Sequence, residues 1–93
     1  MGKGRQFITS IMEQTTLYPE AVSVYPIVEI AGERRVLIEN HLGVSAYGKE
    51  SILVKVNFGV IKIIGCNLEI FRMTKEQLII CGTIRSVELQ RRR

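Results

Sequence analysis

Two cysteines, one histidine and nine glutamates are the side chains that could do chemistry in this sequence, and aspartate is absent. Cys66 and Cys81 stand fifteen residues apart, with no CxxC and no neighbouring histidine. Structural zinc needs about four ligands, which two cysteines in separate elements and the single His41 do not supply. A nucleophilic pair would have to join His41 to Cys66 or Cys81, with no aspartate to orient the imidazole. Each cysteine abuts a glycine inside an apolar run, a setting in which a thiol is normally inert. We therefore expect no enzyme, no cofactor and no metal. The glycines do not precede helix N-termini and no GxxxxGK[ST] occurs, so phosphate-cradle chemistry is also absent from the pattern.

The densest polar cluster is Glu39-Asn40-His41, followed by Leu42 and Gly43, between two apolar runs. The plain reading is a loop closed by side-chain hydrogen bonds to backbone, with Gly43 relieving the chain. The sharper reading is a recognition loop.

The elements that position these residues follow from periodicity. Phe7, Ile8, Ile11 and Met12 share one face of a short helix over 5–18, stopped by Pro19. That face either caps the core or docks on a partner or membrane surface. From Val22 onward the period is two, in β-branched runs of about five residues such as Val36-Leu37-Ile38 and Ile61-Lys62-Ile63. Gly32, Gly48, Gly65 and Gly82 fall 16, 17 and 17 residues apart, each ending an apolar-x-apolar-x-Gly pattern. The β body over 22–89 thus reads as four units of strand, glycine turn, strand. Such units fit a short-strand meander folded into a roll, or a β-solenoid-like stack of coils. The fold class is all-β in one domain over 1–93, since 93 residues support a single small core. Outward apolar residues Leu53, Val60, Phe71 and Ile79 call for a second layer or a homo-oligomer interface.

Charge is uneven along the chain. Thirteen basic residues against nine acidic give +4, but Lys3, Arg5, Arg91, Arg92 and Arg93 lie near the ends. Without those five the body is close to neutral. A basic tail over 90–93 and a basic start suit loose contact with an anionic membrane surface. Nucleic acid is disfavoured as a partner, because the aromatics are scattered and no basic face interleaves with them. Uncharged runs are too short to cross a bilayer.

At this point the sequence resembles the YabP/YqfC family of small sporulation proteins of endospore-forming Firmicutes. The matching residues run from Val36-Leu37-Ile38-Glu39-Asn40-His41-Leu42-Gly43-Val44 with Tyr47, through Gly59-x-Ile61-x-Ile63-x-Gly65, to Leu78-x-Ile80-x-Gly82-x-Ile84. The Ile-Glu-Asn-His-x-Gly segment resembles the YqfC branch in particular. The resemblance implies a non-enzymatic factor in the mother-cell cytoplasm, beside a membrane-protein partner and peripheral to the outer forespore membrane. It marks Glu39, Asn40, His41, Gly43 and Tyr47 as signature positions without an assigned role.

Overall fold

The computed structural model describes residues 25–92. They form six strands: β1 (Ile27–Ala31), β2 (Arg35–Glu39), β3 (Val44–Tyr47), β4 (Ser51–Val56), β5 (Gly59–Met73) and β6 (Gln77–Arg91). All pairings are antiparallel, in one sheet of order β1-β2-β6-β5-β4-β3. The all-β expectation agrees with this architecture. The stacked-coil alternative does not, because coils stack through parallel ladders and every ladder here is antiparallel. The expected helix over 5–18, with Lys3 and Arg5, lies outside the described residues.

The long strands explain how one sheet encloses a core. β5 and β6 are fifteen residues each, and both bend midway. Their shared register shifts between Ile64 and Gly65, between Cys66 and Glu69, and again between Ile70 and Arg72. Asn67 takes φ 51° and Gly82 φ 141° at the bend. The side-chain parity records the shift, since Ile61 and Ile63 are buried before it and Leu68 after it. The first half of β5 pairs with β4, while the first half of β6 pairs with β2. The sheet therefore folds over on itself. Val36, Ile38, Leu78 and Ile80 from one half meet Ile52, Val54, Ile61 and Ile63 from the other, all at zero exposure in one cluster. One face of a flat sheet could not be so completely covered. Burying each of these aliphatic side chains contributes about 1.5–3 kcal/mol.

This geometry corrects the meaning of the glycine period. Gly32 and Gly48 do lie in reversals, between β1 and β2 and between β3 and β4. Gly65 and Gly82 were expected as turns, but they lie inside β5 and β6 at the bend. The turns meet the bend through backbone bonds. Gly65 and Leu68 N–H donate to the Glu50 and Lys49 carbonyls at 3.0 and 2.9 Å. Gly82 and Ile84 N–H donate to the Arg34 and Glu33 carbonyls at 3.1 and 2.7 Å. All four glycines thus gather at one end, the hinge end. Each interval of 16 or 17 residues is one trip to the opposite, loop end and back. The chain does not form four equivalent hairpin units, because at two of the four glycines, Gly65 and Gly82, it passes between halves of the sheet instead of reversing within one.

The C-terminal stretch also differs from a free tail over 90–93. β6 continues through Arg91, which pairs with Gly59, and Arg92 N–H donates to the Phe58 carbonyl at 2.9 Å. On the outer face Lys62 stands directly opposite Glu88, a solvent-facing pair of small energetic weight.

The bend tolerates no side chain at Gly65, where a Cβ would collide with the Thr83 carbonyl oxygen. At Gly82 a Cβ would lie 2.6 Å from the Asn67 carbonyl oxygen. Gly32 has open space around it and only its φ of 58° to protect. Alanine at Gly65 or Gly82 should therefore lower unfolding free energy by roughly 3 kcal/mol or more, against about 1 kcal/mol at Gly32. Urea unfolding of the three variants reads this order directly, and equal losses would contradict the bend.

Candidate functional site

The signature cluster sits at the loop end, in the crossover from β2 to β3. Glu39 closes β2, Asn40 adopts φ 65° and Gly43 φ 116°, so the chain turns sharply toward the other half of the sheet. Asparagine is among the few residues with a side chain that accept this conformation readily.

Asn40 and His41 fasten backbone, and Glu39 holds a side chain of β6. Asn40 N–H donates to the Glu76 carbonyl at 2.8 Å, and its side-chain Nδ2 donates to the Tyr25 carbonyl at 2.9 Å. Gln77 Nε2 donates to Glu39 Oε2 at 3.2 Å. His41 is buried, at 7% exposure. Its Nδ1 accepts from Gly43 N–H at 3.0 Å, and its Nε2 lies 2.8 Å from the Thr74 carbonyl oxygen. A backbone N–H only donates and a carbonyl only accepts, so the network is satisfied by the neutral ring with its proton on Nε2. Leu42 N–H then donates to the Lys55 carbonyl, and Lys55 N–H to the Gly43 carbonyl, both at 2.7 Å. Within four residues the crossover is tied to both halves of the folded sheet.

Thr74 is the matching part on the other strand pair. Its Oγ1 accepts from Glu76 and Gln77 N–H at 3.3 and 2.9 Å, which closes the β5–β6 turn and presents the Thr74 carbonyl to His41. Sequence reasoning missed Thr74. Its signal was the Thr-Lys-Glu-Gln stretch between two apolar runs, a threonine positioned to cap a turn.

As chemistry, the cluster is closed. Both imidazole nitrogens are occupied by backbone, so neither is free to take a proton from a substrate. Cys66 and Cys81 lie near the bend at the hinge end, half-buried and free. Arg85 Nη2 approaches Cys66 Sγ at 3.6 Å. The structure thus keeps the thiols and the imidazole at opposite ends. Among the described residues no group of three or more His, Cys, Asp or Glu could hold a metal ion. No helix among them is long and apolar enough to cross a membrane.

The remaining candidates do not join the cluster. Tyr47 lies at the far end of β3 opposite Ile52, with 57% of its surface exposed. Arg91 and Arg92 belong to the loop end, where they line a recess of about 430 Å³ with Leu42, Lys55 and Val60. Arg93 lies outside the described residues.

Replacing His41 by alanine would orphan the Gly43 N–H and the Thr74 carbonyl. A loss of roughly 1–3 kcal/mol in urea unfolding is expected. Glutamine should lose less, since its amide can still donate to Thr74. Nitrogen shifts of the imidazole should report the Nε2–H form, and the opposite tautomer would contradict the clamp.

No curated protein and no solved structure matches the chain. A family model described as the YabP family matches residues 26–93, a span that takes in all six strands, the Asn40–Gly43 crossover and both bent strands. The chain belongs to the YabP family.

Proposed function

We propose that this chain is a non-enzymatic sporulation factor. It acts in the mother cell as a small adaptor or assembly protein beside a membrane-protein partner, peripheral to the outer forespore membrane. Membership of the YabP family supports the link to sporulation. The adaptor role is supported by one observation above the others, the open edge of β1.

Among the described residues β1 has a single neighbour, β2, and the other side of its backbone carries no ladder from them. Four of its five residues are exposed, including Ile27 and Ile30, and Pro26 precedes the strand without interrupting it. Native sheets usually blunt such an edge with charge, proline or a bulge. β3, at the opposite edge, is blunted: it has four residues and a register shift between Val44 and Ala46. An extended segment of a partner can add to β1 by main-chain hydrogen bonds, with Ile27 and Ile30 supplying side-chain selectivity.

A second reading, a self-assembling coat or filament module, has a specific observation of its own. Among the described residues β1 and β3 each have one neighbour, so copies could add edge to edge, the short β3 offering the poorer template, and such addition would not close into a ring by necessity. A nucleic-acid role has less support, because Tyr25, Tyr47, Phe58 and Phe71 are spread over separate strands and turns, with no common stacking face.

A tagged copy recovered from sporulating cells should bring down a membrane protein. Ile30→Lys, which places a charge on the exposed edge, should reduce that recovery at least tenfold, while Ser45→Lys on β3 leaves it unchanged. Undiminished recovery with Ile30→Lys would refute docking at β1. Large species growing with concentration in sedimentation of the purified protein would favour self-assembly instead.

A further inference from the structure

The loop end carries a surface distinct from the β1 edge, and His41, Gly43 and Thr74 of the clamp line part of it. Leu42, between His41 and Gly43, points away from the clamp and is 63% exposed. It lines two neighbouring recesses. One, of about 550 Å³, is shared with Met73 and Lys75 from the β5–β6 turn. The other, of about 430 Å³, is shared with Lys55, Arg91 and Arg92. Four cations therefore surround one protruding leucine and a methionine that is 49% exposed. No acidic residue lines either recess.

That sign purity is local. Elsewhere among the described residues, one recess pairs Glu29 with Arg35, and another holds Glu50 with Lys62 and Arg85. Glu39 at the end of β2 and Glu76 beside Lys75 lie at the same end, so the cations Lys55, Lys75, Arg91 and Arg92 outnumber the carboxylates there, and all four of them line the two recesses. Folding over of the sheet produces this concentration. It brings Lys55 at the end of β4, Lys75 in the β5–β6 turn and Arg91 at the end of β6 to the same end as Leu42.

We infer that the loop end is a docking surface for an anionic lipid bilayer, with Leu42 and Met73 entering the headgroup region and Lys55, Lys75, Arg91 and Arg92 spread over the headgroups. Protruding apolar side chains ringed by cations suit a soft, two-dimensional anionic surface. A discrete anion site would need converging donors in an enclosed pocket instead. Cations near such a surface act through its potential, and apolar insertion adds to that attraction. Membrane docking by this end presupposes that the chain works beside a membrane, as proposed above. It also leaves the β1 edge free for a protein partner.

The test is co-sedimentation of the full chain with phosphatidylcholine vesicles, with and without phosphatidylglycerol. The chain should bind the anionic vesicles, weaken as salt rises, and bind the neutral ones poorly. Arg91→Gln with Arg92→Gln should lower partitioning about fivefold per charge removed. Leu42→Gln should lower it several-fold even at low salt, and Met73→Gln provides a second apolar probe if the first variant unfolds. Equal binding to both vesicle types, or no binding, would overturn the inference. So would loss only on neutralising Lys3 and Arg5, competition by millimolar inorganic phosphate, or a dimer in vesicle-free sedimentation that Leu42→Gln dissolves. Recovery of a partner in cells by Leu42→Gln, with loss by Ile30→Lys, would separate failure at this end from failure of the adaptor reading.

Discussion

The architecture depends on a close approach of two backbones at the bend of the β5–β6 ribbon. Where Gly65 passes the Thr83 carbonyl, only a hydrogen fits. Across the same bend Gly82 sits against the Asn67 and Cys66 carbonyls. If the ribbon stayed straight, the sheet would be a flat surface with one apolar face in water. Bending brings that face against itself, and the ten fully buried aliphatic residues become one core. In a chain with few aromatics and no tryptophan, no single large side chain can fill a gap. Closure of the two halves must therefore be accurate, and backbone contact at glycine is what sets the distance.

Much of this was legible in the sequence, and the part that was not has a physical reason. Alternation marks Val36/Ile38, Ile61/Ile63 and Leu78/Ile80 as inward positions, and all six are buried. The glycine spacing is also real. Its ambiguity lies in what a glycine between two runs does. A strand that reverses within a layer and a strand that crosses to the other layer present the same local pattern. One trace does separate them. Odd positions are inward up to Gly65 and even positions from Leu68, with a second change between Ile84 and Val87, where the register skips Arg85. A bulge leaves such a parity break. The break belongs to pairing between strands, so it is recognisable only once the partner strand is known.

The polar cluster was legible as a cluster, whereas its partners were not. Asn40 bonds Tyr25, fifteen residues away, and His41 bonds Thr74, thirty-three residues away. Nothing in the local sequence indicates such distances. The Thr74 carbonyl is a backbone group and carries no residue signature at all. This also explains why a lone histidine in a chain without aspartate need not be a reactive group. Its two nitrogens match one donor and one acceptor of the backbone, and a buried crossover needs both satisfied.

The two ends of the molecule divide its constraints. At the hinge end, packing leaves no room for change at Gly65 or Gly82. At the loop end, the clamp made by Asn40, His41 and Thr74 holds three connections together, and side chains beyond it are free to face outward. Leu42 shows the division within a single turn of chain: its N–H is fixed to Lys55, while its side chain is spare. A clamp that satisfies the backbone internally allows the neighbouring side chains to be chosen for what lies outside. Variation at Asn40 or His41 acts first on folding, and only through folding on any partner. Variation at Leu42, Lys75 or Arg92 touches no such network, so its effects belong to the surface alone. Binding measured against unfolding free energy across both groups therefore separates scaffold from interface. Clamp variants should lie along one common trend, and outward-facing variants should depart from it.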